Sequence, residues 1–152
     1  MTTIRQNSIQ VVWRGAEDTE AGLRMLPAKA RRGAIKGLEA ISLLLQNRAR
    51  RGIQKGPKTG RLYRRRAIPH RASAPGEFPA TDTGFLVTSV IAHVDMESLE
   101  AVLSSGILYA KWLELGTRKM SPRPFLVPTL KSVSKDAPRL LKKTIEVELN
   151  NG

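Results

Sequence analysis

The chain has 152 residues, of which 41% are hydrophobic and only 5% aromatic, so we expect one domain over residues 1–152 with a core built mainly from aliphatic side chains. It has no cysteine, which excludes disulfides, Cys-based zinc sites and thiol catalysis. Its 26 Lys and Arg against 13 Asp and Glu give a net charge of +13, which indicates a polyanionic partner or an acidic protein surface. No apolar run is long enough to cross a bilayer, and the first residues lack the apolar stretch of a secretory signal, so we expect a soluble protein that is not exported by itself.

The first elements in chain order are a strand and a capped turn. Residues Ser8–Trp13 are rich in β-branched side chains and are followed by Arg14 and Gly15, which predicts a strand that ends in a turn. Asp18 or Thr19 can cap a short helical turn before the main helix, and Pro27 stands where a first-turn proline is tolerated.

Residues 28–50 form the main predicted helix, because their apolar side chains recur at steps of three and four. The apolar face consists of Ala30, Ala34, Leu38, Ile41 and Leu45. The polar face consists of Lys29, Arg32, Lys36 and Glu39. Leu43 and Leu44 widen the apolar face, and we consider a neighbouring subunit as the surface that this extra width contacts.

Residues 51–84 are dense in Gly, Pro, Ser and Thr without any sustained periodicity, which predicts one long, flexible, basic loop. No acidic residue stands between Glu39 and Glu77. The cations of this loop that we expect to contact DNA or a protein partner are Lys55, Lys58, Arg61, Arg64, Arg65, Arg66 and Arg71. Two interpretations remain open: a solvated loop whose charge aids solubility, or contact with phosphates. Only Tyr63 is a stacking candidate, so the second interpretation involves no sequence preference.

The segment of residues 56–60 (GPKTG) has a lysine and a threonine between glycines, as phosphate-binding loops do. It lacks the spacing and the following helix of a P-loop, so we interpret it as a flexible turn.

Residues 85–94 and 99–104 are apolar and rich in strand-forming side chains, which predicts a β-hairpin. Its turn contains Asp95 and Glu97, and turn geometry accounts for an aspartate there without any catalytic role.

Two helical segments follow. Residues 107–115 predict a helix that ends at Gly116, as a C-terminal glycine cap would require. Residues 128–149 are also helix-prone, and Pro138 must either begin a new helix after Asp136 or kink a continuous one.

An enzyme is not expected from the distribution of potential catalytic groups. The two histidines, His70 in the basic loop and His93 in a predicted strand, are scattered along the chain, as are the carboxylates. General acid–base chemistry and metal binding both need several such groups close together. We therefore expect neither a metal nor any other cofactor.

Residues 113–125 (LELGTRKMSPRPF), here called the corner, lead from a helix through a glycine into a cationic segment. Pro122 and Pro124 fix φ on either side of Arg123, so the corner should be rigid. One interpretation is structural, with Arg123 paired to Glu114 across the turn. The other is a binding edge, and the residues we then expect at a subunit or ring interface are Trp112, Glu114, Gly116, Thr117, Arg118, Lys119, Arg123 and Phe125.

The run YAKWLELGTRKMSPRPFLVPTL resembles the signature of a family of siphophage minor tail proteins, the tail-completion or head–tail joining proteins. The residues that match the signature are Tyr109, Ala110, Glu114, Gly116, Thr117, Arg123, Pro124, Phe125, Leu126 and Pro128. A second, upstream segment resembles the entry of that family to its central strands, with a longer insertion than in many members. Its matching residues are Pro79, Thr81, Asp82, Thr83, Gly84, Leu86 and Ser89.

The resemblance implies an α+β domain: a small, mostly antiparallel sheet with a long helix packed on it. The residue pattern adds a C-terminal helix and the long basic loop to this fold. It implies a homo-oligomeric ring, typically a hexamer, at the neck of the virion, assembled in the host cytoplasm between the head connector or stopper and the tail terminator or tail tube. Contact with DNA in the ring lumen would be possible, and no enzyme activity or membrane is implied. The alternative is a sequence-nonspecific nucleic-acid-binding protein, and an enzyme such as a basic nuclease ranks third.

Overall fold

The computed structural model describes residues 2–5, 8–14, 27–65 and 67–151 and has an α+β fold. The expected helical turn at Asp18 or Thr19 lies outside the described residues. The strands are β1 (Thr2–Arg5), β2 (Ser8–Trp13), β3 (Leu62–Arg65), β4 (Ile68–Arg71), β5 (Val90–Asp95) and β6 (Glu100–Ser105). The helices are α1 (Ala28–Lys55), α2 (Phe85–Ser89), α3 (Ala110–Leu115), α4 (Leu126–Ser134) and α5 (Ala137–Asn150).

The main sheet is antiparallel, with the strand order β1-β2-β6-β5. In its register Val11 pairs with Leu103, and Leu103 pairs with Ala92 on the other side. Directly paired residues of neighbouring strands project to the same side of a sheet, so these three positions lie on one face. Val11 and Leu103 are fully buried there, and helix α1 packs over β5 and β6. The core therefore lies between this face and the long helix.

Helix α1 buries the apolar face that its sequence predicts, from Ala30 through Leu45, and continues that face to Ala49 and Ile53. It ends at Lys55, so the predicted end at Arg50 is wrong by five residues. Gly56 and Pro57, which follow, are the actual helix breakers. Leu44 is partly buried against the core, whereas Leu43 is exposed.

Helix α5 packs along α1, with the two helices antiparallel. Gly33 allows this close contact, since a Cβ there would lie 2.7 Å from the Cα of Ile145. Near one end Lys36 Nζ lies 2.7 Å from Glu148. Near the other end Arg48 lies 2.7 Å from Asp136. Leu140, Leu141 and Ile145 of α5 are partly buried against the core, so α5 covers it beside α1.

Pro138 begins a new helix, which is the first of the two predicted possibilities. It occupies the first turn of α5, where a missing N–H costs nothing. Asp136 precedes the helix at the N-cap position, so α4 and α5 are separate helices.

The segment 51–84 is not a single loop, so that prediction is wrong. Its first five residues complete α1, and Leu62–Arg65 pairs with Ile68–Arg71 in a two-stranded antiparallel sheet. These strands were missed because none of their described side chains is buried, so no alternation of apolar and polar residues marks them in the sequence. We call this pair, β3 and β4, the basic hairpin.

The predicted central hairpin is present with shifted limits. Phe85–Ser89 forms a helical turn after Gly84, and the strand begins only at Val90, so the predicted start of the strand at Phe85 is wrong. The buried side chains of this turn had the composition of a strand but lie in the helix. In the turn that joins β5 and β6, Asp95 Oδ1 accepts the N–H groups of Glu97 and Ser98 at 2.9 and 3.2 Å, which confirms its turn role.

Candidate assembly and nucleic-acid interfaces

The corner is rigid because its backbone is bonded at both ends. Gly116, the residue that follows α3, has φ +76° and donates its N–H to Trp112 O at 2.8 Å. Across the turn Arg123 N donates to Leu113 O at 2.7 Å. A Cβ on Gly116 would lie 2.8 Å from Met120 O, so both the φ angle and the available space require glycine.

Glu114 holds the corner from inside the protein. Its side chain is buried, with 4% exposure, and accepts three backbone N–H groups, from Phe125 at 2.7 Å, Leu126 at 2.9 Å and Val127 at 2.8 Å. These N–H groups belong to the start of α4, where a helix leaves its first donors without partners. A carboxylate there also interacts favourably with the helix dipole. Glu114 therefore caps α4 from a different helix.

The predicted pairing of Arg123 with Glu114 is wrong, because the carboxylate is occupied by the helix donors. Arg123 instead donates from Nε to Ser73 O at 3.0 Å and from NH1 to Ser121 O at 3.2 Å. Gly76 N also donates to Pro122 O at 2.9 Å. The half-buried guanidinium thus joins the corner to the segment that follows the basic hairpin.

Two predicted interface residues, Glu114 and Phe125, are buried within the chain, so that expectation is wrong for them. Phe125 is fully buried among core residues, and Glu114 lies below it as the cap of α4. By contrast Thr117, Arg118 and Lys119 are exposed at the outer end of the corner.

Helix α3 presents an apolar face to solvent. Trp112 and Leu115 are three residues apart and therefore share one side of the helix, and Trp112 is 44% exposed. Leu108, in the turn just before α3, is exposed as well. The ammonium of Lys111 lies 5.9 Å from the centroid of the Trp112 ring. The sequence predicts one helical face of Tyr109, Trp112 and Leu113, but Leu113 is partly buried against the core, so that face is wrong for this residue. The step of three from Trp112 to Leu115 was the signal that could have identified Leu115.

The basic hairpin is the second exposed surface. Tyr63 and His70 are paired across its strands, and their rings stack with centroids 5.9 Å apart and planes 27° from parallel. His70 Nε2 also lies 3.6 Å from Asp82 Oδ1. The side chains of Arg61, Arg64 and Arg71 are exposed. Of the other predicted contact residues, Arg66 and the side chain of Arg65 lie outside the part of the chain that the structure describes.

The loop before the basic hairpin is held by two charged side chains. Glu77 accepts the Thr59 hydroxyl at 2.6 Å and the backbone N–H groups of Thr59 and Ala74 at 3.0 and 2.8 Å, and these bonds lower its pKa. Lys58 donates to Phe78 O at 2.9 Å and to Gly52 O at 3.3 Å. Burial lowers the pKa of Lys58, and the nearby Glu77 opposes this shift. Lys58 therefore binds the chain itself, which corrects its expected role as a partner contact.

Neither a cluster of metal ligands nor a membrane-spanning helix appears in the described ranges. No three of their His, Asp and Glu side chains lie close enough together to hold a metal ion. None of their helices combines the length and apolar character that crossing a membrane would require.

The chain matches no protein-family model, no curated protein and no solved structure. The features available for a functional interpretation are therefore the apolar face of α3, the rigid corner beside it and the basic hairpin.

Proposed function

We propose that the chain is a structural subunit of a phage virion, a tail-completion or head–tail joining protein that forms a closed ring at the neck between the connector and the tail tube. The single observation that carries the proposal is the exposed apolar face of α3 next to the rigid corner. Trp and Tyr are the residues that most often dominate protein interfaces, and an exposed apolar patch on a charged chain favours burial by a partner.

Four residues of the resemblance support the proposal because each has a definable structural task. Glu114 caps α4, Gly116 permits the turn, and Arg123 joins the corner to the segment at Ser73. Phe125 anchors the corner in the core. In this proposal the signature fixes the shape of the corner, while its exposed neighbours Trp112, Arg118 and Lys119 contact the adjacent subunit or ring.

A closed ring of identical copies is consistent with the exposed apolar face of α3 and the rigid corner. In such a ring each copy contributes the same pair of complementary surfaces around one axis. The expected neighbours are the head connector or stopper on one side and the tail terminator or tail tube on the other. The ring requires no turnover chemistry, metal or cofactor from the chain.

The test is Trp112→Asp in the phage genome. Because Trp112 is exposed, the variant should fold, but the charge placed in the contact with the adjacent subunit or ring should prevent joining and leave unjoined heads and tails in electron micrographs. The matched control is Val147→Asp on α5, which introduces the same charge at a similarly exposed apolar position, 49% against 44%. Normal virions from Trp112→Asp would refute the proposal.

A sequence-nonspecific nucleic-acid-binding protein is the second candidate, and the basic hairpin favours it. Three exposed arginines and a stacked Tyr63–His70 pair lie on a short ribbon with no acidic residue between positions 61 and 71. Such a surface can contact the phosphate backbone. The logarithm of the binding constant falls linearly with the logarithm of the salt concentration, and each phosphate contacted steepens this slope by about 0.9.

Duplex DNA binding by the isolated chain separates the two candidates. The second candidate predicts tight binding, and replacing Arg61, Arg64 and Arg71 with Ser should lower the salt slope by about 2–3. Replacing Arg139, Lys142 and Lys143 on α5 with Ser removes the same charge elsewhere and serves as control. An unaltered slope in the hairpin variant would exclude the hairpin as the DNA contact.

A further inference from the structure

A cleft of about 460 Å³ lies between the last turns of α1 and the first turns of α4. Phe78 and Pro128 contribute apolar atoms to its lining, and Arg51 and Lys55, one helical turn apart, contribute cations. A third lining cation, Arg48, is already bound to Ser132 and Asp136, at 2.6 and 2.7 Å. The cleft therefore combines an apolar lining with positive charge.

The chemistry of the cleft specifies the kind of group that would fill it. Phosphate alone would leave the apolar lining exposed to water, and an aliphatic side chain alone would leave the cations without compensation. The best match is a flexible apolar side chain with carboxylates on either side, because it satisfies both parts of the lining.

The chain presents such a group at the turn of residues 95–99, here called the Met96 turn. Met96 is 53% exposed and stands between Asp95 and Glu97. Methionine is unbranched and polarisable, and it adapts to irregular apolar sites better than other aliphatic side chains do.

The Met96 turn cannot reach the cleft of its own chain. It lies near the start of α1, where Arg31, Met96, Glu97 and Leu99 line a common depression. Arg51 lies twenty residues further along the same helix, a distance of about 30 Å at 1.5 Å per residue. Complementary surfaces at opposite ends of one molecule favour contact between successive copies.

We propose that the Met96 turn of one copy inserts into the α1–α4 cleft of the next, with Asp95 and Glu97 opposite Arg51 and Lys55. The inference rests on the proposed function, since it supplies a contact between adjacent subunits of the ring. In this arrangement the apolar face of α3 and the corner contact the neighbouring ring of the neck.

The first test uses the unmodified chain. Equal amounts of ¹⁴N- and ¹⁵N-labelled protein are mixed, and adjacent amines and carboxylates are joined with a zero-length carbodiimide. Mass spectrometry should find Lys55 linked to Glu97 in peptides that contain one chain of each isotope. Assembled protein in which Lys55 is linked only to other carboxylates would overturn the inference.

The second test reverses charges across the proposed contact. Lys55→Glu and Glu97→Lys should each weaken self-association at least about tenfold, because like charges then face each other. The double variant, with both changes in every chain, should recover association, which a merely structural effect of either change would not allow. Lys142→Glu, on the exposed surface of α5, is the control for altered net charge.

Ultracentrifugation and electron microscopy distinguish failure of the Met96 contact from failure of the proposed ring function. If rings form and both single reversals assemble like the unmodified chain, the cleft has a different occupant and only this inference fails. If the unmodified chain stays monomeric and virions lack it, the proposed function fails as well.

Discussion

Removing the carboxylate of Glu114 should destabilise the chain more than removing any exposed acidic group. The side chain accepts three N–H groups at the start of α4, and those of Phe125 and Leu126 are buried. In Glu114→Ala these two donors would have no partner and little access to water. The first turn of α4 would then separate from the corner or remain at a large cost in free energy.

The magnitude follows from the bonds that are lost. Each buried N–H left unsatisfied costs about 1–3 kcal/mol. With two such donors, we expect Glu114→Ala to lower the free energy of unfolding by about 2–6 kcal/mol, out of about 5–15 kcal/mol for a typical domain. At about 2–4 °C per kcal/mol for a chain of this size, the melting temperature should fall by about 4–24 °C.

Urea denaturation followed by circular dichroism measures this difference directly. Glu114→Gln keeps one carbonyl oxygen, so its loss should be smaller than that of Glu114→Ala. Glu39→Ala removes an exposed carboxylate from α1 and should change the free energy of unfolding by no more than about 0.5 kcal/mol. If Glu114→Ala unfolds at the same urea concentration as Glu39→Ala, the capping argument is refuted.

Three further predictions concern the loop and the corner. Gly52→Ala places a Cβ 2.4 Å from the ring of Phe78, and this overpacking should cost about 1–3 kcal/mol in urea denaturation unless Phe78 is shortened to Leu. Because bonds from the side chain and backbone of Thr59 hold the pKa of Glu77 below its ordinary value of 4.5, its stabilising contribution is present above that value and is lost as the pH falls through the lowered pKa. The melting temperature of the unmodified chain should therefore fall more between pH 7 and pH 3 than that of Glu77→Gln. Gly116→Ala, at φ +76°, should cost about 1–3 kcal/mol in the same denaturation assay, and an unchanged midpoint would contradict the assigned strain.

The sequence predicts the core face of α1 well, because a periodic helix face depends on local spacing alone. The predicted end of α1 was wrong because Gly52 resembles a helix breaker. In the structure Gly52 lies inside the helix and leaves room for the ring of Phe78, which lies in a distant segment. The basic hairpin was missed for a similar reason. Its Tyr63–His70 pair and the bonds at Glu77 become visible only when both strands are placed.

The candidate site was predicted in position but not in the role of each residue. Trp112, Arg118 and Lys119 are exposed as expected, and the corner is rigid as the two prolines indicated. Charge alone suggested that Arg123 pairs with Glu114. The N–H groups at the start of α4 are competing donors for this carboxylate, and their location depends on the fold of residues 113–127. The sequence therefore located the corner, whereas its hydrogen bonds could be assigned only from the coordinates.

The free edge of the sheet at β5 is a poor candidate for assembly. Two of its outward backbone groups are already bonded to side chains of α1: Ala92 N donates to Gln46 Oε1 at 2.9 Å, and Val90 O accepts from Arg50 at 2.8 Å. A strand from another copy would have to displace both side chains before it could pair, and blocking an edge in this way is a known protection against strand addition. Contacts through helices, turns and opposite charges are therefore favoured over extension of the sheet. At +13 per chain, such contacts must also bring acidic and basic groups together, since repulsion between identical copies otherwise opposes a ring.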